Sequence, residues 1–234
     1  MALAPGTNSP VFGREKPDNV LMLFAREKDV DPYCGMQKIG AVILAAGESS
    51  RLGQPKQLLE FRGRSLVRQI SDAASQAACL PIVVVVGAEN EKIRNELAGT
   101  QAAIAVNEKW QCGIGSSIRV GVKYSIANSP NLDAIVLLVC DQPFVDATVI
   151  ARLIALREKT KKAIIASAYA NTLGVPALFD CSCFEELVSM ADATGAKALI
   201  LSKPARVAEI PFPEGNVDID TWEDYERLTN GPAR

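Results

Sequence analysis

The chain has 234 residues, of which 48% are hydrophobic and 22% charged, as in ordinary globular proteins. A net charge of −2 argues against a nucleic-acid partner, which usually requires a basic surface. The chain contains no histidine, which excludes Ser-His and Cys-His catalysis, and its six cysteines lack zinc-site spacing. No secretory pattern opens the chain, and its apolar runs fall far short of the roughly 20 residues of a membrane span. We therefore expect a cytoplasmic protein.

Residues 1–35 differ in composition from the rest, with four prolines among scattered charges. We interpret this stretch as a disordered N-terminal extension or as an over-extended translation start. A single folded domain is expected over residues 36–230.

After residue 38, apolar runs alternate with segments of helical periodicity. A buried parallel strand is apolar on both faces, whereas a helix repeats its apolar residues every three or four positions. In chain order we predict strand 39–46, helix 65–78, strand 81–86, helix 89–97, strand 102–106, helix 116–126, strand 134–140, helix 146–159 with Asp146 as N-cap, strand 163–168, a mixed region, strand 207–210 and helix 221–228. This alternation predicts a three-layer α/β domain with a mostly parallel sheet.

Ligands of such sheets bind beyond the carboxyl ends of the strands. The first four predicted strands end at Ala46-Gly47, Gly87, Asn107 and Asp141. We therefore expect these positions to lie along one edge of the sheet.

The first strand leads into a loop of small residues, IGAVILAAGESSRLGQPK over residues 39–56. Gly47 leaves backbone N–H groups unobstructed, and Arg51 and Lys56 bring two cationic side chains. The pattern favours a nucleoside triphosphate site. The alternative is an ordinary strand that ends in a Gly-Ser turn with stray basic residues.

Two acidic positions are candidate Mg²⁺ ligands. Asp141 follows the strand AIVLLVC and precedes Gln142-Pro143, where its carboxylate could bind Mg²⁺ or merely cap a turn. In VDIDT, Asp218 and Asp220 point the same way if the segment is extended. Asp220 could instead be the N-cap of the closing helix, which makes Asp218 the better candidate.

A glycine- and serine-rich turn, WQCGIGSS over residues 110–117, opens the third predicted helix. Its helix N-terminus could bind a second phosphate group. Alternatively, a serine caps the helix and Gly115 frees the turn. Neither glycine-rich loop matches the GxxxxGK[ST] phosphate loop or the GxGxxG dinucleotide motif.

Four segments together resemble the molybdenum cofactor nucleotidyltransferases, in particular the cytidylyltransferase branch: LAAGESSRLGQPK at 44–56, WQCGIGSS at 110–117, CDQP at 140–143 and DIDTWEDY at 218–225. The resemblance covers about residues 38–229. It departs at Trp222, where the family usually has proline. It implies a Rossmann-like nucleotidyltransferase fold and a Mg²⁺-dependent transfer of CMP from CTP to the terminal phosphate of molybdopterin, with pyrophosphate as the second product.

The resemblance also implies roles for individual residues. The nucleotide would contact Leu44, Ala45, Ala46, Gly47, Arg51, Lys56 and Gly87. Arg51, Lys56 and Asp141 would be catalytic, and Asp141 and Asp218 would hold Mg²⁺. The acceptor would meet Gly115, Ser116, Ser117, Gly195 and Lys197, and a molybdoenzyme is a possible recipient of the product. The alternatives are a sister enzyme using GTP or a sugar phosphate, and a non-catalytic factor that binds nucleotide or cofactor.

Overall fold

The central strands of the protein follow its unbroken apolar runs. A computed structural model describes residues 37–49 and 52–230, so Arg51 and the extension predicted over residues 1–35 lie outside the described residues. The strands are β1 Ile39–Ala45, β2 Glu60–Phe61, β3 Arg64–Ser65, β4 Ile82–Val86, β5 Ala102–Val106, β6 Ala134–Val139, β7 Ile164–Tyr169, β8 Thr172–Asp180 and β9 Val207–Pro211.

Seven α-helices separate these strands within the described part of the chain. They are α1 Leu66–Gln76, α2 Asn90–Glu96, α3 Ile114–Asn128, α4 Ala147–Thr160, α5 Phe184–Val188, α6 Ala196–Ser202 and α7 Trp222–Asn230. The side chain of Asp146 accepts the Val149 N–H at 2.9 Å, which confirms the predicted N-cap of α4. No helix among the described residues has the length and apolarity that a membrane crossing requires.

One sheet of seven strands has the order β5-β4-β1-β6-β8-β7-β9. The pairs β5-β4, β4-β1, β1-β6 and β7-β9 are parallel, whereas β8 is antiparallel to both of its neighbours. All strands of this sheet except β8 therefore run in one direction. The mostly parallel sheet predicted from the apolar runs is confirmed.

Helices pack on both faces of this sheet and produce the three expected layers. In β1, Ile43 contributes to a core shared with α1 and α4, whereas Val42 contributes to the opposite core shared with α3 and α6. Alternate residues of a strand point to opposite faces, which is why an unbroken apolar strand serves both cores. From Gln37 onward the chain forms one compact unit.

The region left as mixed by the sequence pattern contains β8, α5 and α6. In β8, residues of intermediate exposure alternate with buried ones before the strand becomes fully buried, and Pro176 interrupts its pattern. Its pairing with β7 also shifts register between Ala166 and Ser167. These irregularities explain why apolar runs alone do not identify the antiparallel strand.

Candidate active site

The residues that follow β1 and β6 meet at the carboxyl edge of the parallel part of the sheet. Lys56 lies in the loop after β1. Asp141 lies two residues after the end of β6, with Cys140 between them. The Lys56 Nζ donates to Asp141 Oδ2 at 2.8 Å and to Asp220 Oδ1 at 3.1 Å. A lysine, a strand-end aspartate and an aspartate from 164 residues further along are thereby joined.

The two aspartates keep Lys56 in its charged form. Burial alone would lower the pKa of Lys56, but the charges and hydrogen bonds of Asp141 and Asp220 outweigh it, and the pKa is raised above its ordinary value. Lys56 is consequently a fixed cation at this edge of the sheet.

The segment from Asp218 to Asp220 is extended and anchored by its middle residue. Ile219 is fully buried among Leu52, Leu59 and Phe61, and its N–H donates to the Asp141 carbonyl oxygen at 3.1 Å. Asp218 and Asp220 are both exposed, as expected for residues on the opposite side of an extended segment. Their exposure agrees with the expectation that these two carboxylates share one side, and both interact with Lys56.

Asp218 interacts electrostatically with the other carboxylates. Loss of hydration raises its pKa, and the negative charges of Asp141 and Asp220 raise it further, to about 6. Lys56 opposes these effects without cancelling them. We refer to Lys56, Asp141, Asp218 and Asp220 as the Lys56 cluster, which among the described residues contains one ammonium group and three carboxylates.

The interpretation of Asp220 as the N-cap of the closing helix is wrong. Thr221 performs this role, since its Oγ1 accepts the Asp224 N–H at 3.2 Å and the Asp224 carboxylate accepts the Thr221 N–H at 2.9 Å. These reciprocal bonds form a capping box. Asp220 lies one residue before it, so its carboxylate is available to Lys56.

The excess of negative charge in the Lys56 cluster fits a divalent cation. Among the described residues, no group of three or more acidic, cysteine or histidine side chains has the arrangement of a complete metal cage. Mg²⁺ does not require one, because it usually binds one or two carboxylates and completes its shell with water and substrate phosphates. Asp141 and Asp218 are suited to this role.

A buried glutamine holds the start of the loop after β1 through hydrogen bonds to its backbone. Gln57 is 2% exposed, and its Nε2 donates to the carbonyl oxygens of Ala45 and Gly47 at 3.0 and 2.9 Å. The Ser49 hydroxyl accepts the Lys56 N–H at 2.7 Å and closes the loop. Sequence reasoning did not identify Gln57, although its position directly after Lys56 is a usable signal.

The predicted nucleotide residues differ in what they can offer a ligand. The side chains of Leu44, Ala45 and Ala46 are buried, so these residues can contribute only backbone groups. Gly47 is exposed, and no described residue lies within 4 Å of the position that a side chain would occupy. The backbone at Gly47 is therefore accessible to a ligand.

Gly87 lies at the end of β4 beside the end of β1. A methyl group at this position would lie 2.6 Å from both the Ala46 carbonyl oxygen and the Trp110 Cγ. Only glycine fits between them without a shift. Trp110 thus packs against Gly87, one of the residues predicted to contact the nucleotide, although the sequence pattern did not indicate a functional role for Trp110.

The segment 110–117 is closed by a distant loop. The helix begins after Gly113, which is its N-cap, so the serine cap is wrong. The Gly115 N–H donates to the Asp192 carbonyl oxygen at 2.8 Å. A methyl group on Gly115 would lie 2.1 Å from the Ala191 carbonyl oxygen. The Gly115 N–H is thus engaged within the protein.

The hydroxyl groups of Ser116 and Ser117 also have internal partners. Both residues are buried, and the Nδ2 of Asn107, at the end of β5, donates to their Oγ atoms at 2.8 and 2.9 Å. The Ser116 hydroxyl lies 2.7 Å from the Gly113 carbonyl oxygen, to which it donates. This arrangement supports a structural role for the two side chains, and their assignment as acceptor contacts stays a prediction.

The two segments expected on the acceptor side do meet each other. Besides the Gly115 bond, Arg119 forms an ion pair with Asp192, and Gly195 lies next to Ile114. Gly195 is the N-cap of α6, and Lys197 is exposed on its first turn. The roles of Gly195 and Lys197 stay predictions, as does that of Arg51.

Comparison with known proteins agrees with this geometry. The MobA-like NTP transferase domain family matches residues 41–207. The chain is 29% identical to nicotine blue oxidoreductase of Paenarthrobacter nicotinovorans, over 86% of this chain and 98% of that protein. The crystal structure of Rv0371c from Mycobacterium tuberculosis H37Rv is 31% identical and covers 83% of this chain and 98% of its own, with a TM-score of 0.70. A second structure of Rv0371c, a manganese complex, is 29% identical over 83% of this chain and 100% of its own, with a TM-score of 0.67.

The family match covers most of the chain, and the fold brings Lys56 and the aspartates of the Lys56 cluster together at one edge of the sheet. The sheet and its helices match those of the solved structure over nearly the whole of that structure. The chain belongs to the MobA-like NTP transferase domain family, a family of nucleotidyltransferases.

Proposed function

We propose that the protein transfers CMP from CTP to the terminal phosphate of molybdenum-loaded molybdopterin and releases pyrophosphate. The observation that carries the nucleotidyl transfer is the Lys56 cluster, because Lys56 and three carboxylates meet at the strand ends next to the loop after β1. The choice of CTP and molybdopterin rests on the resemblance of residues 44–56, 110–117, 140–143 and 218–225 to the cytidylyltransferase branch.

The reaction requires positioning and charge neutralisation more than a protein nucleophile. An oxygen of the acceptor phosphate forms a bond to the α-phosphorus of CTP, and the bond from that phosphorus to the bridging oxygen of the β-phosphate breaks. The attacking phosphate is already an anion, so no histidine base is required. Lys56, with Arg51, would neutralise charge on the departing pyrophosphate.

Asp141 and Asp218 would hold Mg²⁺ when it is bound, and the ion would supply electrophilic stabilisation of the phosphate oxygens. The Ile219–Asp141 backbone bond keeps the two carboxylates on neighbouring segments. The manganese complex of Rv0371c shows that a relative of similar structure can be crystallised with a divalent cation.

The direct test is pyrophosphate release with molybdopterin and Mg²⁺, measured separately for CTP, GTP, ATP and UTP. We expect CTP to give the highest kcat/KM. Preference for GTP or for a sugar-phosphate acceptor would indicate a sister transferase, and nucleotide binding without pyrophosphate release would indicate a delivery factor. Turnover of nicotine blue without any pyrophosphate release would instead support the redox activity named for the P. nicotinovorans relative.

Loss of the Lys56 ammonium should separate chemistry from folding. We expect Lys56→Ala to lower the rate of pyrophosphate release by ~10²–10³, the usual effect of removing one preorganised charge. Lys203→Ala is the matched control, because Lys203 also pairs with a carboxylate, Glu186, but lies at the C-cap of α6 and is not a member of the Lys56 cluster. Near-normal turnover of folded Lys56→Ala would contradict the assignment.

A further inference from the structure

Two hydrogen bonds join the turn after β6 to the segment that carries Asp218. One is the backbone bond from Ile219 to the Asp141 carbonyl oxygen at 3.1 Å. The other comes from Gln142, whose Nε2 donates to the Gly215 carbonyl oxygen at 2.9 Å. In the turn after β6, the bonds involve Asp141 itself and the next residue, Gln142. In the other segment, they involve Gly215 and Ile219, which precede and follow Asp218 in the chain.

Gln142 is held in place by its surroundings. The residue is 5% exposed, and its Oε1 is buried without a hydrogen-bond partner among the described residues. A buried, unpaired acceptor is unfavourable, so the stability of the core does not account for an amide here. The Nε2 bond to Gly215 uses this amide, and the Tyr169 hydroxyl is a second hydrogen-bonding neighbour of it.

The turn at Gly215 is also closely packed by two aromatic rings. A methyl group on Gly215 would lie 2.6 Å from the Tyr169 Cδ1 and 2.7 Å from the Phe212 Cδ1. The Tyr169 hydroxyl donates to the Val175 carbonyl oxygen at 3.0 Å, which fixes the ring against the turn. The aromatic rings and the bond from the Gln142 amide together leave the turn little room to move.

The link matters because the two carboxylates that it connects repel each other. Asp141 and Asp218 are both negative when ionised, and Asp220 adds a third charge. Lys56 pairs with Asp141 and Asp220 and offsets part of this repulsion, and the part that remains favours separation of the two segments. An uncharged amide can hold the segments together without adding to the charge of the cluster.

We propose that Gln142 is a positioning residue that sets the spacing of Asp141 and Asp218 for a divalent cation. This inference rests on the metal role assigned to these two aspartates in the proposed function. Gln142 acts through the Gly215 carbonyl group and does not itself contact the ion or the nucleotide.

Binding of Mn²⁺ alone, followed by the electron paramagnetic resonance signal of the free ion, tests the proposal without requiring activity. We expect Gln142→Met to weaken Mn²⁺ binding by about tenfold or more, as is usual when a partner that orients metal ligands is lost. Methionine has a similar length and flexibility but cannot donate the bond to Gly215.

Gln69→Met is the matched control. Gln69 also donates through Nε2 to a carbonyl oxygen of the same turn, that of Pro143 at 2.8 Å, and its Oε1 is likewise buried without a partner. Gln69 reaches that turn from α1, however, and its bond does not link the turn to the Gly215 segment. We expect this variant to lose stability with Mn²⁺ affinity within about twofold of the wild type.

Equal effects of the two glutamine variants on Mn²⁺ affinity, or none from Gln142→Met, would overturn the proposal. If Gln142→Met does not fold, Gln142→Asn tests the same link with an amide too short to reach Gly215. Asp141→Asn separates the two claims. If it binds Mn²⁺ like the wild type, the metal site and the proposal both fail. If it loses binding while Gln142→Met retains it, only the role of Gln142 fails.

Discussion

Lys56 illustrates how one residue acquires its properties from partners far away in the chain. Partial burial by itself would favour the neutral amine, but Asp141 and Asp220 reverse that preference. The same carboxylates act on Asp218 in the opposite sense, since they disfavour its ionised form. The ionisation of Lys56 and of Asp218 thus depends both on burial and on the neighbouring carboxylates.

The raised pKa of Asp218 predicts how stability depends on pH. Between its ordinary value of 3.8 and about 6, the folded protein binds this proton more tightly than the unfolded chain does. The contribution of Asp218 to the free energy of unfolding is therefore fully present at low pH and lost as pH rises through about 6. Because the residue is exposed, solvent screens part of the effect.

Urea unfolding of the wild type and Asp218→Asn at pH 5 and pH 7 checks this sign. The variant carries no titrating group at this position, so the wild type should lose more stability than the variant between the two pH values. Identical changes in both proteins would show that Asp218 titrates normally. Addition of Mg²⁺ should favour the ionised form, so cation binding should weaken as pH falls below about 6.

At the scale of elements, the segment from Asp218 to Asn230 performs two tasks in succession. Ile219 anchors an extended stretch whose carboxylates join the Lys56 cluster, and Thr221 then starts α7. The capping box places the N-cap at Thr221, one residue after Asp220, so that α7 begins at Trp222. The N-terminus of this helix therefore determines where the extended stretch ends.

Loss of this cap should destabilise the protein modestly. Thr221→Ala removes the hydroxyl that accepts the Asp224 N–H, and such changes cost about 1 kcal/mol of unfolding free energy. Thr229→Ala is the control, because its hydroxyl lies near the exposed C-terminal end of the same helix and donates to the Tyr225 carbonyl oxygen. Chemical denaturation measures both. Equal losses would mean that the capping box has no special effect.

At the scale of the whole molecule, the site depends on elements that are distant in sequence. β1 and its loop supply Lys56, β6 supplies Asp141, and the stretch after β9 supplies Asp218 and Asp220. A ligand that binds them together should stabilise the entire fold, because unfolding separates all its contacts at once.

Thermal or urea unfolding with CTP and Mg²⁺ tests this coupling. At a nucleotide concentration of 100 times Kd, we expect stabilisation by about 2.7 kcal/mol. The gain should shrink when Mg²⁺ is omitted and in Asp141→Asn, which removes one predicted metal ligand. If CTP stabilises Asp141→Asn as strongly as the wild type, the nucleotide binds away from the Lys56 cluster.

The amino-acid sequence by itself determined the parallel core of the fold, because buried strands and amphipathic helices leave clear local patterns. It also indicated Asp141 and the Lys56 loop, because strand-end positions in a parallel sheet lie at one edge. It did not identify β8, whose pattern depends on an antiparallel partner, or the true caps of α3 and α7.

Only the tertiary structure decided which groups meet. Lys56 and Asp220 are 164 residues apart, and Gln142 and Gly215 are 73 residues apart. Local patterns carry no information about such pairs, because their proximity results from the packing of the sheet and its loops. For the same reason the structure, and not the motif, revealed the internal partners of Gly115, Ser116 and Ser117.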